Sequence, residues 1–520
     1  MSTTAPAKAG RKEWIGLAVI ALPCLLYSMD LTVLNLAIPN LSADLKPSSS
    51  ELLWIVDIYG FMVAGMLITM GTLGDHIGRR KLLLIGAVVF GAASVAAAFS
   101  TSPGMLIAAR AMLGIAGATL APSTLSLIRN MFLDDKQRTF AISIWMTSYS
   151  IGGAIGPLLG GILLEHFSWG SVFLISVPVM VLLLITGPLL LPEYRDPGAG
   201  KLDLLSALQS IVAILAIIFG FKKIAENGLD WLPVLCIIAG AITAFVFVRR
   251  QGKLQYPLID LRLFRIPTFK ITLLTFMMGA FISFGSYIFI GQYLQLVLNL
   301  SPFQSGLWTL PWAVGVIIGS LLTSQLAKRV HPVRVIYGGF ALASIGFFLV
   351  SQVNTIGPAV AILGGSFLFS ISLAPVFTLT IDYIIGSAPP EKAGAASAVS
   401  ETSAELGGAL GIALLGSLGT AVYRNFMVKN ITADVPEGSV EAAKDTLGGA
   451  VAEASKLPSA AADILLQSAR EAFTDTMQLA VIVCASLSAA LALLIRLKLK
   501  PGQVGASANQ TLQTTEQAVN

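Results

Sequence analysis

Five ionisable side chains stand where charge is expensive. Asp30, Asp57, Glu401 and Glu405, together with Arg110, all fall inside long apolar runs. A charge at the centre of a bilayer costs about 3 kcal/mol even on lenient scales, so such residues pair, face water or carry function. An acid drawn out of water is readily neutralised, by a proton or by a neighbouring cation. One carboxylate can therefore hold either but not comfortably both, and that competition is antiport in its simplest form. Asp30 admits a second reading, a structural ion pair with Arg110 at similar depth. Asp57, near the start of its run, is either an exchanging acid or an interfacial one. Glu401 and Glu405 are four residues apart and share a helix face, where like charges repel and one of the two is expected to keep its proton. Glu405, nearer the midplane, reads as the proton carrier, and Glu401, nearer the inner surface, as the group that receives an incoming cation. Tyr27 precedes Asp30 by three residues, Trp54 precedes Asp57 by three, and Trp308 and Trp312 share a helix face. Each is either a cation–π contact or a lipid-interface anchor.

The elements that position these groups are membrane helices. Of 520 residues, 55 % are hydrophobic and 12 % charged, whereas soluble domains carry about 25 % charged residues; a soluble enzyme is excluded. Apolar runs of spanning length predict an all-α polytopic membrane protein with 14 transmembrane helices. The expected layout is a cytoplasmic N-terminal tail (1–13), a six-helix bundle (14–191), two inserted transmembrane helices (204–248), a second six-helix bundle (269–496) and a disordered cytoplasmic tail (501–520). Within the second bundle, 424–474 reads as an extracytoplasmic loop, with apolar residues at helical spacing around Ile464, Leu465, Ala469 and Phe473 that suggest amphipathic helices lying on the outer face. The first apolar run is too long for a signal-peptide core and is retained as a span. With both termini cytoplasmic, Lys and Arg of the loops divide roughly three to one in favour of the inside. Cys24, Cys236 and Cys484 lie far apart in apolar runs, and His76, His166 and His331 are equally scattered, so no metal site is expected. No phosphate-binding loop is present, since Gly200-Lys201 and Gly252-Lys253 are both followed by Leu. Neither nucleic acid nor a cofactor is called for, and the driving force expected is the proton gradient.

The chain also repeats itself. Gly152-Gly153-Ala154-Ile155-Gly156-Pro157-Leu158-Leu159-Gly160 in the fifth span resembles Gly407-Gly408-Ala409-Leu410-Gly411 in the thirteenth. Parallel halves with two helices between them are a transporter architecture. At that offset Glu405 falls on Ser150, so an acid stands where the first half keeps a small hydroxyl.

The loop Gly71-Thr72-Leu73-Gly74-Asp75-His76-Ile77-Gly78-Arg79-Arg80-Lys81 resembles the signature loop of the major facilitator superfamily, in its usual place after the second span. In such a loop Gly71, Gly78, Asp75, Arg79 and Arg80 form a conformational latch at the inner surface. Arg110-Ala111-Met112-Leu113-Gly114 in the fourth span fits the same family. Gly152, Gly156, Pro157 and Gly160 match its antiporter motif, whose small residues let helices approach closely. Leu26-Tyr27-Ser28-Met29-Asp30-Leu31-Thr32-Val33-Leu34-Asn35 is similar to the first-span signature of the fourteen-span drug:proton antiporters, nearest to quaternary-ammonium exporters of the QacA and SmvA type. The resemblance implies a multi-pass protein of the bacterial cytoplasmic membrane, working as a monomer and exporting lipophilic cations (quaternary ammonium biocides, viologens, dyes, bisbiguanides) in exchange for protons. The alternatives are a proton-coupled exporter of one metabolite or siderophore and, from another class, a membrane enzyme or channel.

Overall fold

The structure is a computed structural model that describes residues 9–47, 49–195, 203–227, 230–255, 257–300, 302–388, 393–430, 443–444 and 446–498. The first half is built from α1 (Arg11–Leu45), α2 (Ser49–Ile77), α3 (Arg79–Ala98), α4 (Pro103–Gly117), α5 (Leu120–Met131), α6 (Asp135–His166), α7 (Ser171–Leu174) and α8 (Ser176–Leu190). Then come the pair α9 (Leu204–Asn227) and α10 (Trp231–Gln251). The second half holds α11 (Pro267–Gln292), α12 (Pro302–Arg329), α13 (Pro332–Ser351), α14 (Val353–Ile356), α15 (Gly365–Gly386), α16 (Ala393–Asn430), α17 (Leu447–Ala454) and α18 (Ser459–Lys498).

Helix starts follow local rules. Prolines open α4, α11 and α13, where the missing N–H costs nothing, and the Ser102 and Asp134 side chains cap α4 and α6 by accepting from the Met105 and Gln137 N–H groups. Gly78, at φ 108°, makes the turn between α2 and α3. Among the described residues, 13 helical segments are long and apolar enough to span a membrane. The fifth expected span falls in α6, a helix of 32 residues that packs along both α1 and α12.

The fourth expected span is one continuous candidate span, Pro103–Met131, with a turn at Ala118 and Thr119 between α4 and α5. Two expectations change. Arg11 to Glu13, expected in the tail, already belong to α1. Ile464 to Phe473 do not form a separate helix lying on the outer face. They belong to α18, one unbroken helix of 40 residues, about 60 Å long, whose first turns bury Leu465, Ala469 and Phe473. An amphipathic pattern is the same for a helix on a surface and for one packed against a neighbour, so spacing alone did not distinguish them. Residues 1–8, 431–442 and the tail 501–520 lie outside the described residues.

The core is divided unevenly. One apolar cluster contains the first half and, from the second half, Phe269, Phe276, Ile381, Ile384, Ile385, Ala393, Ala396 and Val399. These residues come from the beginning of α11, the end of α15 and the beginning of α16, all at the membrane face where the chain starts. A second cluster runs from Phe281 to Ile495 and includes no residue of the first half. The halves thus share a core at the N-terminal face and separate towards the other. The molecule is closed at the N-terminal face.

Candidate functional site

Close helix approach sets the position of the acids. A Cβ at Gly152 of α6 would overlap the Leu25 carbonyl of α1, and one at Gly411 of α16 would overlap the Phe281 carbonyl of α11. Gly152, Gly156 and Gly160 are all buried along one stripe of α6, which brings Tyr149 against α1. The Ser28 hydroxyl donates to the Tyr149 carbonyl. Likewise Gly114 of α4 lies against the Tyr59 carbonyl of α2, which puts Arg110 one turn away against the same helix.

Arg110 is 1 % exposed. Its Nε donates to the Ile55 carbonyl, its guanidinium lies 5.4 Å from the Tyr59 ring centroid, and Nη1 stands 3.6 Å from Asp30 Oδ2. Neither of those last two atoms has a hydrogen-bond partner among the described residues. The pairing expected of Asp30 is therefore present, as a buried ion pair at a separation longer than an ordinary hydrogen bond.

Tyr27 joins this pair to the second half. Its ring lies 6.0 Å from that of Tyr59 and 5.8 Å from that of Tyr149, so one tyrosine from each of α1, α2 and α6 forms a cluster. Asp30 is within electrostatic range of Tyr59, Glu405 of all three tyrosines, and Glu401 of Tyr27, Tyr149 and Cys24. Tyr59 and Tyr149 were missed in the sequence because neither stands at a fixed step from an acid on its own helix.

Other expected contacts are placed elsewhere. Asp57 lies two residues before Tyr59, about 200° round the helix, so α2 turns it away from the face that carries Tyr59. Trp54 is 40 % exposed and stacks near Phe61 at 6.1 Å, which in turn faces Phe219 of α9. Trp312 lies 5.8 Å from Tyr287, and it and Trp308 pack against the second core cluster. None of the three tryptophans touches the tyrosine cluster in any ring contact among the described residues.

The loop between α2 and α3 divides its work between its two arginines. Arg79 is fully buried, ion-paired with Asp75, and packed on Gly394 so tightly that a Cβ there would strike the guanidinium. Gly71 meets Ala398 and the Gly394 carbonyl of the same helix, α16. Arg79 therefore ties α2 and α3 to the second half. Arg80 stays at home: it faces Glu193 and donates to the carbonyls of Pro188 and Leu191 at 3.1 and 3.0 Å, closing the end of α8. A second tie across the halves is buried nearby. Arg138 Nε of α6 donates to Asp382 Oδ1 of α15 at 2.6 Å, and the Thr139 hydroxyl donates to Oδ2 at 2.7 Å. Asp382 carried a signal that went unused, an acid in the last turn of an apolar run. Outside the membrane segments, Arg250 Nε donates to Asp203 at 2.8 Å, pinning α9 to α10 and holding the Asp203 carboxyl down at about 2.

No group of three or more metal-ligating side chains occurs among the described residues. The site combines Asp30 and Arg110 with three aromatic rings, and Glu401 and Glu405 of the other half lie within electrostatic range of them.

Comparison with known proteins places this geometry. The family model of the Major Facilitator Superfamily matches residues 20–412. The multidrug efflux pump LfrA of Mycolicibacterium smegmatis is 41 % identical over 95 % of this chain and 97 % of its own length. The methyl viologen resistance protein SmvA of Salmonella typhimurium is 36 % identical over 89 % of this chain and 93 % of its own. The tetracenomycin C resistance and export protein of Streptomyces glaucescens is 32 % identical over 95 % and 93 %. Among solved structures, the human organic anion transporter MFSD10 shares the fold at a TM-score of 0.60 with 15 % identity, over 92 % of this chain and 99 % of that one. With its match to the family model, its helical architecture and relatives aligned over nearly their whole length, the chain belongs to the Major Facilitator Superfamily.

Proposed function

We propose that this protein exports lipophilic cations across the bacterial cytoplasmic membrane in exchange for protons. Both termini would be cytoplasmic, with two six-helix bundles flanking two inserted helices, α6 completing fourteen spans, and the chain working as a monomer without a cofactor. The observation that carries the reading is geometric: Asp30 and Arg110 stand 3.6 Å apart, Arg110 lies over Tyr59, and Tyr59, Tyr27 and Tyr149 form one ring cluster, with Glu401 and Glu405 of the other half within electrostatic range of Tyr27 and Tyr149. A cation entering that cluster gains cation–π contact and neutralises an acid, so a proton held there becomes dispensable. The same acids separate this reading from export of a neutral metabolite, which would need polar groups for hydrogen-bond readout instead of charge.

The steps follow from the closed N-terminal face. In this state Arg79 and the Arg138–Asp382 pair hold the inner ends of the helices together. Protons arriving from outside neutralise the acids and displace the cation. The change to the inward-open state breaks both ties and lets a new cation compete for the acids. The electrical part of the driving force amounts to about 2.3 kcal/mol per charge per 100 mV.

Proteoliposomes provide the test. An imposed pH gradient should drive uptake of methyl viologen or a cationic dye into inside-out-oriented protein, and a protonophore should abolish it. Equal movement of a neutral drug, or cation movement indifferent to the pH gradient, would overturn the reading.

A further inference from the structure

A cavity of about 320 Å³ opens at the N-terminal face, away from the tyrosine cluster. It lies where α1 and α6 of the first half meet α12 of the second, and it is lined by Trp14, Lys136, Gln137, Phe140, Gln325 and Lys328, with buried Ser324 at its wall. Among the described residues, the charged side chains lining it are two lysines, one from each half, whose aliphatic stems form part of an almost wholly apolar wall. Neither has an ion-pair partner among the described residues. The acids on the same turn of α6 are already engaged: Asp134 accepts from the Gln137 N–H at 2.9 Å, and Asp135 pairs with Arg138 at 2.9 Å. The walls between the lysines are aromatic. Trp14 and Phe140 face each other at 5.7 Å, and Phe140 is 36 % exposed on the outer surface of the helices.

We propose that this cavity binds the headgroup of an anionic phospholipid. A phosphate at the mouth of the cavity, beside Lys136 and Lys328, meets two ammonium groups; Gln325 offers an amide donor there, and Gln137, whose Oε1 accepts from the Ala9 N–H at 2.8 Å, keeps its amide N–H for the same ligand. The acyl chains continue along Phe140 and the exposed Leu321 and Leu322 of α12, where a soluble anion has nothing to bury. Trp at this level is the side chain that membranes favour at the headgroup boundary, and basic pockets between helices on the cytoplasmic side are where anionic lipids collect. Because the lysines belong to different halves, a bound headgroup bridges α6 and α12 next to the Arg138–Asp382 tie and favours the closed inner face. Naming the inner leaflet rests on the orientation proposed above; the binding itself does not.

The full-length protein in neutral detergent provides the test, independently of transport. Phosphatidylglycerol added to it should be retained in native mass spectra and should protect Lys136 and Lys328 from an amine-reactive reagent, while phosphatidylcholine should do neither. The double variant Lys136→Gln/Lys328→Gln should bind phosphatidylglycerol at least tenfold more weakly, Lys136→Arg/Lys328→Arg should retain it, and Lys253→Gln should match the unaltered protein. Equal protection by phosphatidylcholine would overturn the proposal. So would protection by inorganic phosphate at the same concentration as the lipid, which would make this a site for free anions. Reactive lysines in the unaltered protein at saturating phosphatidylglycerol would overturn it without reference to any variant.

Discussion

The pair α1–α6 and the pair α11–α16 are built alike and charged differently. In both, glycines of the later helix press on carbonyls of the earlier one: Gly152 on Leu25, Gly407 on Met277 and Gly411 on Phe281. The first pair carries its acid on the earlier helix, at Asp30, and has Ser150 where the second pair has Glu405. The second pair carries both acids on the later helix, and α11 from Pro267 to Gln292 holds none. Duplicated packing supplies a frame in which two helices approach the centre from each half. Placing the acid on opposite members lets the two halves meet at one tyrosine cluster without lining up like charges on facing helices.

Removing one acid is the harshest way to break this comparison. Asp30→Asn should abolish export of every cation, at least a hundredfold in initial rate, with unchanged yield and thermal stability of the purified protein. Unimpaired export at equal expression would leave Asp30 with only its pairing to Arg110. The shared frame is tested next. Gly152→Val and Gly411→Val should each destabilise by about 2 kcal/mol, the usual cost of overpacking, and by similar amounts. A large loss in one half with none in the other would show that the pairs are alike in sequence only.

The inner ties should give a smaller and more selective effect. Arg79→Ala should slow transport about tenfold while leaving cation affinity within a factor of two, because Arg79 holds α16 and not the cation. Arg80→Ala, which loosens only α8 on its own half, should slow it less than twofold. Equal slowing by both would erase the distinction between the tie across the halves and the tie within one.

The smallest expected effect lies in the inserted pair. Arg250 depresses the Asp203 carboxyl to about 2, below the ordinary value near 4. The stabilisation is therefore complete above about pH 4 and is lost as pH falls towards 2. The melting temperature of Asp203→Asn should sit a degree or two below that of the unaltered protein at pH 7, the gap should narrow below about pH 4, and it should close as pH falls through about 2. A gap that stays constant from pH 7 down to pH 2 would mean the pin is not ionic.

Much of this was legible in the sequence because the membrane enforces simple rules. Long apolar runs had to be helices, so the helix order could be read directly. The acids and Arg110 declared themselves by being charged where charge is costly. Partners across helices were less legible. Tyr59 and Tyr149 look like any buried aromatic until α2 and α6 are placed beside α1. Trp54, Trp308 and Trp312 sat at suggestive steps, yet Trp54 faces Phe61 and Trp312 faces Tyr287. Helical spacing fixes a residue's direction on its own helix but not which neighbour fills that direction. The apolar stripe at Leu465 and Phe473 misled for the same reason. Arg79 and Arg80, adjacent and alike in sequence, were separable only once Gly394 and Glu193 stood on opposite sides of them.

Proton release in weakly buffered detergent measures the exchange at the tyrosine cluster most directly. Adding methyl viologen to the purified protein should release protons to the medium, and Asp30→Asn and Glu405→Gln should each reduce that release. Glu401→Gln should still release protons, with altered affinity for some cations and not others. If cation binding releases no proton from the unaltered protein at any pH between 5 and 8, then the acids of the two halves do not exchange a proton for a cation, and the account fails at its centre.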